Sequence, residues 1–341
     1  MKLEEVIRQL LGEDVNPSIR YRLCRELLGD APDSPGMTEL QAQIMASGSV
    51  KELMAAQKED GWIGHSFHGY DSLEGAIRFL CDKGVEPQQP VLAKALAQVE
   101  QNFSRAEREL GKVGTVLDDG KYGGTSMMRA ALLARAGLVD HALVKEQVEI
   151  ALDGLRQTRE IKSIADVCEP YRGKQVFKAG AVLPSIYHLR LLAHTQDWRT
   201  AENKAVVVEG VRRLVQLSPM PEIHIRRGSQ LIAPAMFGMQ DFVPEMEKLS
   251  DAGWFIWFQR MELLARMGIV PEIRELTGQV DVLLEMLDES GGWFDLPLRH
   301  AYFHKWGAYT GLALEEDWRT AQRRKNDLTF RALLIGYYAG F

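Results

Sequence analysis

The chain has 341 residues, 46 % of them hydrophobic and 26 % charged, with a formal net charge of −6. That composition is ordinary for a globular protein with ample core material, and its acidic balance speaks against a nucleic-acid binder, which needs a basic face. The first residues, MKLEEVIRQLLGEDV, carry acids inside an apolar run, so they read as neither a secretory signal nor a membrane span. Three widely spaced cysteines, Cys24, Cys81 and Cys168, read as reduced thiols in a cytoplasmic protein.

Along the chain, residues 1–48 read as an N-terminal helical pair, and NPSIRYRLCRELLG (16–29) resembles a HEAT-type helix. QKEDGWIGHSFHG (57–69) follows. Its Asp60 and Gly61 favour a turn, and Trp62 is suited to anchor the loop by burying its ring. Ser126–Ala136 is apolar nearly all round, the pattern of a buried helix, whereas Val144, Val148, Ala151, Leu152 and Leu155 form one stripe. The run KAVVVEG (204–210) is β-branched but continues a helical stripe through Val211 and Leu214. Trp254–Phe258 opens a second helix buried all round, and Val280, Leu283, Leu284 and Leu287 mark a second one-sided one. DWRTA occurs at 197–201 and again at 317–321, and both copies read as helix caps with packed Trp side chains.

Six segments repeat in order: LLGDAP (27–32), FLCDKGV (79–85), LLARAGLV (132–139), LLAHTQDW (191–198), LLARMGIV (263–270) and LLIGYY (333–338). Each should end a helix buried on most sides, followed by a helix wet on one face. About six such pairs predict an all-α fold, a single α/α toroid over 1–341 with the N-terminal pair closing or capping it; an open solenoid is the competing arrangement. Connections after the buried helices are short, while 104–123, 164–179, 218–250 and 290–307 are long. In an alternating ring the long ones gather at one end, which predicts a ligand mouth there.

QKEDGW, LDESGGW (287–293) and KYGGTSMMRAALLARAGL (121–138) resemble the Gln-Trp repeats of squalene and terpenoid cyclases, whose toroid the protein prenyltransferases share. The resemblance implies an apolar or isoprenoid-like small molecule bound in a central cavity, with Trp254 and Trp257 among its aromatic lining. The acid of those cyclases, Asp-X-Asp-Asp, is reduced here to Asp118-Asp119 beside Tyr122, and these three are the catalytic candidates. The Asp-X-Cys zinc pair of the prenyltransferases is matched by Asp166 and Cys168.

The remaining candidates lie in the loops. Trp62, Tyr70, Trp293, Tyr302 and Trp306 are aromatic contacts for a ligand, and the paired Arg226 and Arg227 suit a carboxylate or phosphate. His65, His68, His300 and His304 are the candidate ligands of a divalent metal ion, set against hydrogen-bonded loop histidines that never meet. Three functions compete: an enzyme or binder acting on a small apolar molecule, a carbohydrate-active hydrolase or lyase, and a non-catalytic scaffold.

Overall fold

The computed structural model describes residues 2–341. It is predominantly helical, with fifteen α-helices among the described residues, and none is long and apolar enough to cross a membrane. The chain gathers into two compact units. One holds the segments up to Asn102, Leu249–Ala265 and Gly278–Phe341; the other holds Phe103–Lys248 and Arg266–Thr277.

The first unit begins with α1 (Leu3–Gly12), α2 (Pro17–Arg22), α3 (Pro35–Ala46), α4 (Gly48–Ala56), α5 (Leu73–Asp82) and α6 (Pro90–Gln101). Asn16 accepts the Ser18 N–H to cap α2, whose end widens into a π-helical turn over Leu23–Leu28. The Gln-Asp-Gly-Trp stretch is the joint between α4 and α6. Asp60 accepts the Trp62 N–H at 2.9 Å, and the Gln57 amide donates to the carbonyls of Gly61 and Val91. Gly61 has φ +94°, and a Cβ there would lie 2.7 Å from the Lys94 carbonyl oxygen, so only glycine fits. Trp62 is 1 % exposed. It is an anchor, not the ligand contact its aromaticity suggested.

The second unit contains α7 (Phe103–Asp119), α8 (Thr125–Arg135), α9 (Ala142–Thr158), α10 (Ile164–Val167), α11 (Ile186–Ala193) and α12 (Ala201–Leu217). Here α8 packs on α11 and α9 on α12, with α9 also touching the first two. Every residue of α11 is buried, as is nearly all of α8, while α9 and α12 bury one face. That is a two-layer arrangement, one layer dry and one wetted. The β-branched run 204–210 is helical as expected.

Two expectations fail in this unit. The segment 104–123, expected as a long loop, is mostly α7, broken at Gly111 (φ 57°, ψ −146°). The chain is also not purely helical. Two other long connections fold into β1 (Cys168–Tyr171), β2 (Lys174–Phe177), β3 (Ile223–Arg227) and β4 (Gln230–Ile232), a sheet in that order. Each hairpin is antiparallel, and β2 joins β3 in parallel. Pairing satisfies backbone groups that a loop of this length leaves to water.

The chain ends with α13 (Asp251–Arg266), α14 (Arg274–Glu289) and α15 (Ala321–Tyr338). Three repeated segments stop their helices the same way, α5 at Gly84, α8 at Gly137 and α13 at Gly268, each left-handed. LLIGYY instead lies inside α15. Both DWRTA copies are caps: Thr200 accepts from Asn203 N–H and Thr320 from Arg323 N–H. Trp198 is buried, and Trp318 stacks on Phe303.

Within the first unit, Val6, Leu10, Ile19, Leu23, Phe330 and Leu334 share one core cluster. Beside it lies a buried charge network. Arg331 donates to Glu262 at 2.9 Å, to Asp82 at 3.0 Å and to the Leu312 carbonyl, while Arg22 reaches Glu26 at 2.5 Å. Buried charges persist only when paired in this way.

Candidate ligand-binding sites

The segment 63–74 of the first unit is a tightly bonded loop. Gly64 (φ 79°) lets the backbone approach Asp71, whose own φ is 45°, a conformation Asp tolerates better than most residues. His65 N–H donates to the Asp71 carbonyl, Leu73 N–H to Ser66, and Glu74 N–H to Phe67, all within 3.1 Å. Tyr70 forms a β-bridge with Gly307, and Arg78 donates to the carbonyls of Gly307, Ala308 and Thr310.

This backbone sets two imidazole–carboxylate pairs six residues apart in sequence. His65 Nδ1 contacts Asp71 at the surface, and His68 Nδ1 lies 2.7 Å from Glu74, which is fully buried. An ionised carboxylate only accepts, so each Nδ1 carries the proton of its bond. Tyr309 stands edge-on to His68 at 5.2 Å. Asp71 also lines a pocket of about 220 Å³ together with Ile63, Ala76, Phe79 and Trp306 and with Ser49 and Glu52 from α4. Trp306 meets Phe79 edge-on at 5.2 Å.

The four metal-candidate histidines do not converge. His300 Nδ1 accepts the Tyr302 N–H that starts the turn Ala301–Phe303, and its ring lies 4.2 Å from that of Tyr302. His304 faces Trp318, and burial, helped by the charges of Lys305 and His300, holds it below the usual histidine range. Among the described residues no group of three His, Cys, Asp or Glu side chains is placed to hold a metal ion. Carboxylates take up His65 and His68, and a main-chain N–H takes up His300.

The expected aromatic lining behaves differently residue by residue. Trp254 and Trp257 are buried in a cluster with Phe258 and Phe294, and Trp257 donates its indole N–H to Gln279 at 2.7 Å. Both are packed core residues within this unit. Trp293 is partly buried against the core cluster, Tyr302 packs edge-on to Phe255, and Tyr70 is exposed. Of the candidates, Trp306 lines a pocket.

In the second unit, Asp118, Asp119, Lys121, Ser126, Glu146 and Gln147 line a pocket of about 210 Å³. Asp118 sits in the last turn of the kinked α7 and accepts the Ser126 N–H at the start of α8, at 3.1 Å and 3.3 Å to its two oxygens. Burial pushes its carboxyl up to about 6; the bonds from Ser126 and Thr125 oppose the rise, and Glu107 and Asp119 add to it. Tyr122 is no part of that pocket's chemistry. Its hydroxyl donates to the Ala181 carbonyl at 2.8 Å, its ring packs on Phe177, and burial raises its pKa.

Asp166 and Cys168 do not form a zinc pair. Asp166 accepts the N–H groups of Lys162 and Ser163 in a capping box, which holds its carboxyl below the usual range. Cys168 is buried, donates to the Ile164 carbonyl, and is pushed up by desolvation. Arg226 and Arg227 are exposed on β3 and point to opposite faces, as strand residues do. Arg226 stacks over Tyr171 at 4.2 Å.

Glu74, Ile63 and Phe79 escaped the sequence reading. The signal for Glu74 was present in HSFHGYDSLE, where each histidine has an acid six residues on. No protein-family model matches the chain, and no curated protein or solved structure matches it significantly.

Proposed function

We propose that the helices form an α/α toroid and that the protein binds a small organic molecule with an apolar body. The two-layer packing of α8 and α11 against α9 and α12 supports the toroid reading. The observation that carries the binding reading is the Trp306 pocket: apolar walls, a carboxylate at its edge, and a loop locked by its own hydrogen bonds. At about 220 Å³ it is smaller than the roughly 300–1,000 Å³ of drug-sized ligand sites, so its ligand is of fragment size. Three cysteines, odd in number and far apart in sequence, suit a reducing, cytoplasmic setting.

The test is calorimetry with indole, geraniol and 2-phenylethanol against the parent protein and an Ala76→Phe variant. Ala76 lines the pocket, so the larger ring fills it. Binding by the parent and loss in the variant are expected. Binding that survives the variant places the ligand elsewhere, and no binding of any probe leaves a scaffold.

A second reading, acid catalysis, rests on Asp118. A carboxyl with a value near 6 in a pocket is partly protonated at neutral pH and suited to deliver that proton to a bound alkene or glycosidic oxygen.

A further inference from the structure

We infer that the Trp306 pocket selects a cationic amine carried on an apolar ring. The inference rests on the binding reading above and adds the ligand's charge.

The pocket is lined by more hydrogen-bond acceptors than free donors. The charged residues lining the pocket are Glu52 and Asp71, both carboxylates. The two lining hydroxyls already donate elsewhere: Ser49 to Glu316 at 2.8 Å, and Ser72 to the Gly69 carbonyl at 2.9 Å. Ser72 Oγ also accepts the Gly75 N–H at 3.1 Å. The Trp306 indole is the one side-chain donor the lining residues keep in reserve. His65 occupies Oδ2 of Asp71 and leaves Oδ1 available.

The neighbouring cations are committed as well. Arg78 is spent on three carbonyls and lies 5.9 Å from the Trp306 ring. Lys83 is 1 % exposed and is held by Glu316 and the Leu314 carbonyl. Desolvation works against the Glu316 charge, but Lys83 and the bonds from Ser49 prevail and keep its carboxyl below the usual range. An anion entering the pocket would meet acceptors with almost no donors. An ammonium supplies the missing donors, and both aromatic rings of the lining already keep positive charge beside them, Arg78 at 5.9 Å from the Trp306 ring and Lys83 at 5.5 Å from the Phe79 ring.

The experiment compares three molecules of similar size by calorimetry at pH 7.4 and low salt: 2-phenylethylamine, 2-phenylethanol and phenylacetate. The amine should bind about five- to twentyfold more tightly than the alcohol, the sum of a cation–π contact and an exposed ion pair. Phenylacetate should be the weakest. The double variant Glu52→Gln, Asp71→Asn should bring the amine to the level of the alcohol while alcohol binding is unchanged. Asn accepts the left-handed backbone at position 71 as readily as Asp, which protects the loop.

Alcohol binding equal to or tighter than amine binding overturns the inference and leaves the pocket reading standing. So does an amine preference that survives the double variant. If none of the three binds, and indole and geraniol also fail, the pocket reading falls and takes the inference with it.

Discussion

Asparagine in place of Asp118 keeps the shape of the side chain and removes its titration. The folded carboxyl sits at about 6 against an ordinary 3.8, so the folded state holds this proton more tightly than the unfolded chain does. Stability from this group is therefore whole below about pH 4 and is lost as pH rises through 6. At about 1.36 kcal/mol per unit the full loss would be roughly 3 kcal/mol. The carboxyl is only half-buried and lines a pocket, so solvent screening reduces the figure to about 1–2 kcal/mol. The assay is urea unfolding of parent and Asp118→Asn proteins at several values between pH 4.5 and 7.5. The parent should lose that amount relative to the variant across the range. The difference between the proteins is the quantity to read, because Asp327, buried and at about 6, and Glu315, also raised, tilt both curves the same way. A difference that stays flat with pH would refute the reasoning, and the acid reading would go with it.

Three further substitutions test the frame. Arg331→Met strands Glu262 and Asp82 in the core, with Arg22 as partial relief; unfolding in urea should show a loss of about 3 kcal/mol, and a loss under 1 would mean the network is solvated. Gly61→Ala forces a Cβ against Lys94 in a left-handed conformation, which costs about 1–2 kcal/mol before any clash; an unchanged Tm would contradict the turn. Thr320→Ala removes the α15 cap and should cost about 1 kcal/mol, with Thr200→Ala as the matching control on α12.

Much of the helical frame was legible because period and punctuation agree. Val144 to Leu155 repeats at helical spacing, and Gly137 and Gly268 close their helices where a left-handed residue is needed. The misses have physical causes. SRAERELGKVGTVLDDG reads as a loop because it carries three glycines, yet through Asp119 it is α7, with Ala106, Gly114 and Leu117 buried on one face. The strands have three to five residues, too short for a period of two to register, and the pairing that joins the two hairpins, β2 with β3, is between distant segments. The site divides in the same way. Trp306 and Asp118 could be named from the sequence as candidates, whereas the walls around them come from Ile63, Phe79 and Glu146, ordinary residues brought there by packing.

The first compact unit is assembled from distant parts of the chain: Arg22 and Asp82 share a network with Glu262 and Arg331, and Val6 shares a core with Leu334. On a ribosome adding about 5–20 residues per second, Asp82 waits on the order of 10–50 s for Arg331 to be made. Through that interval the helices before Asn102 lack their last core partner, while Phe103–Lys248, an uninterrupted stretch, already holds most of its own unit. The nascent chain thus exposes apolar surface longest at its beginning, where a chaperone would find it.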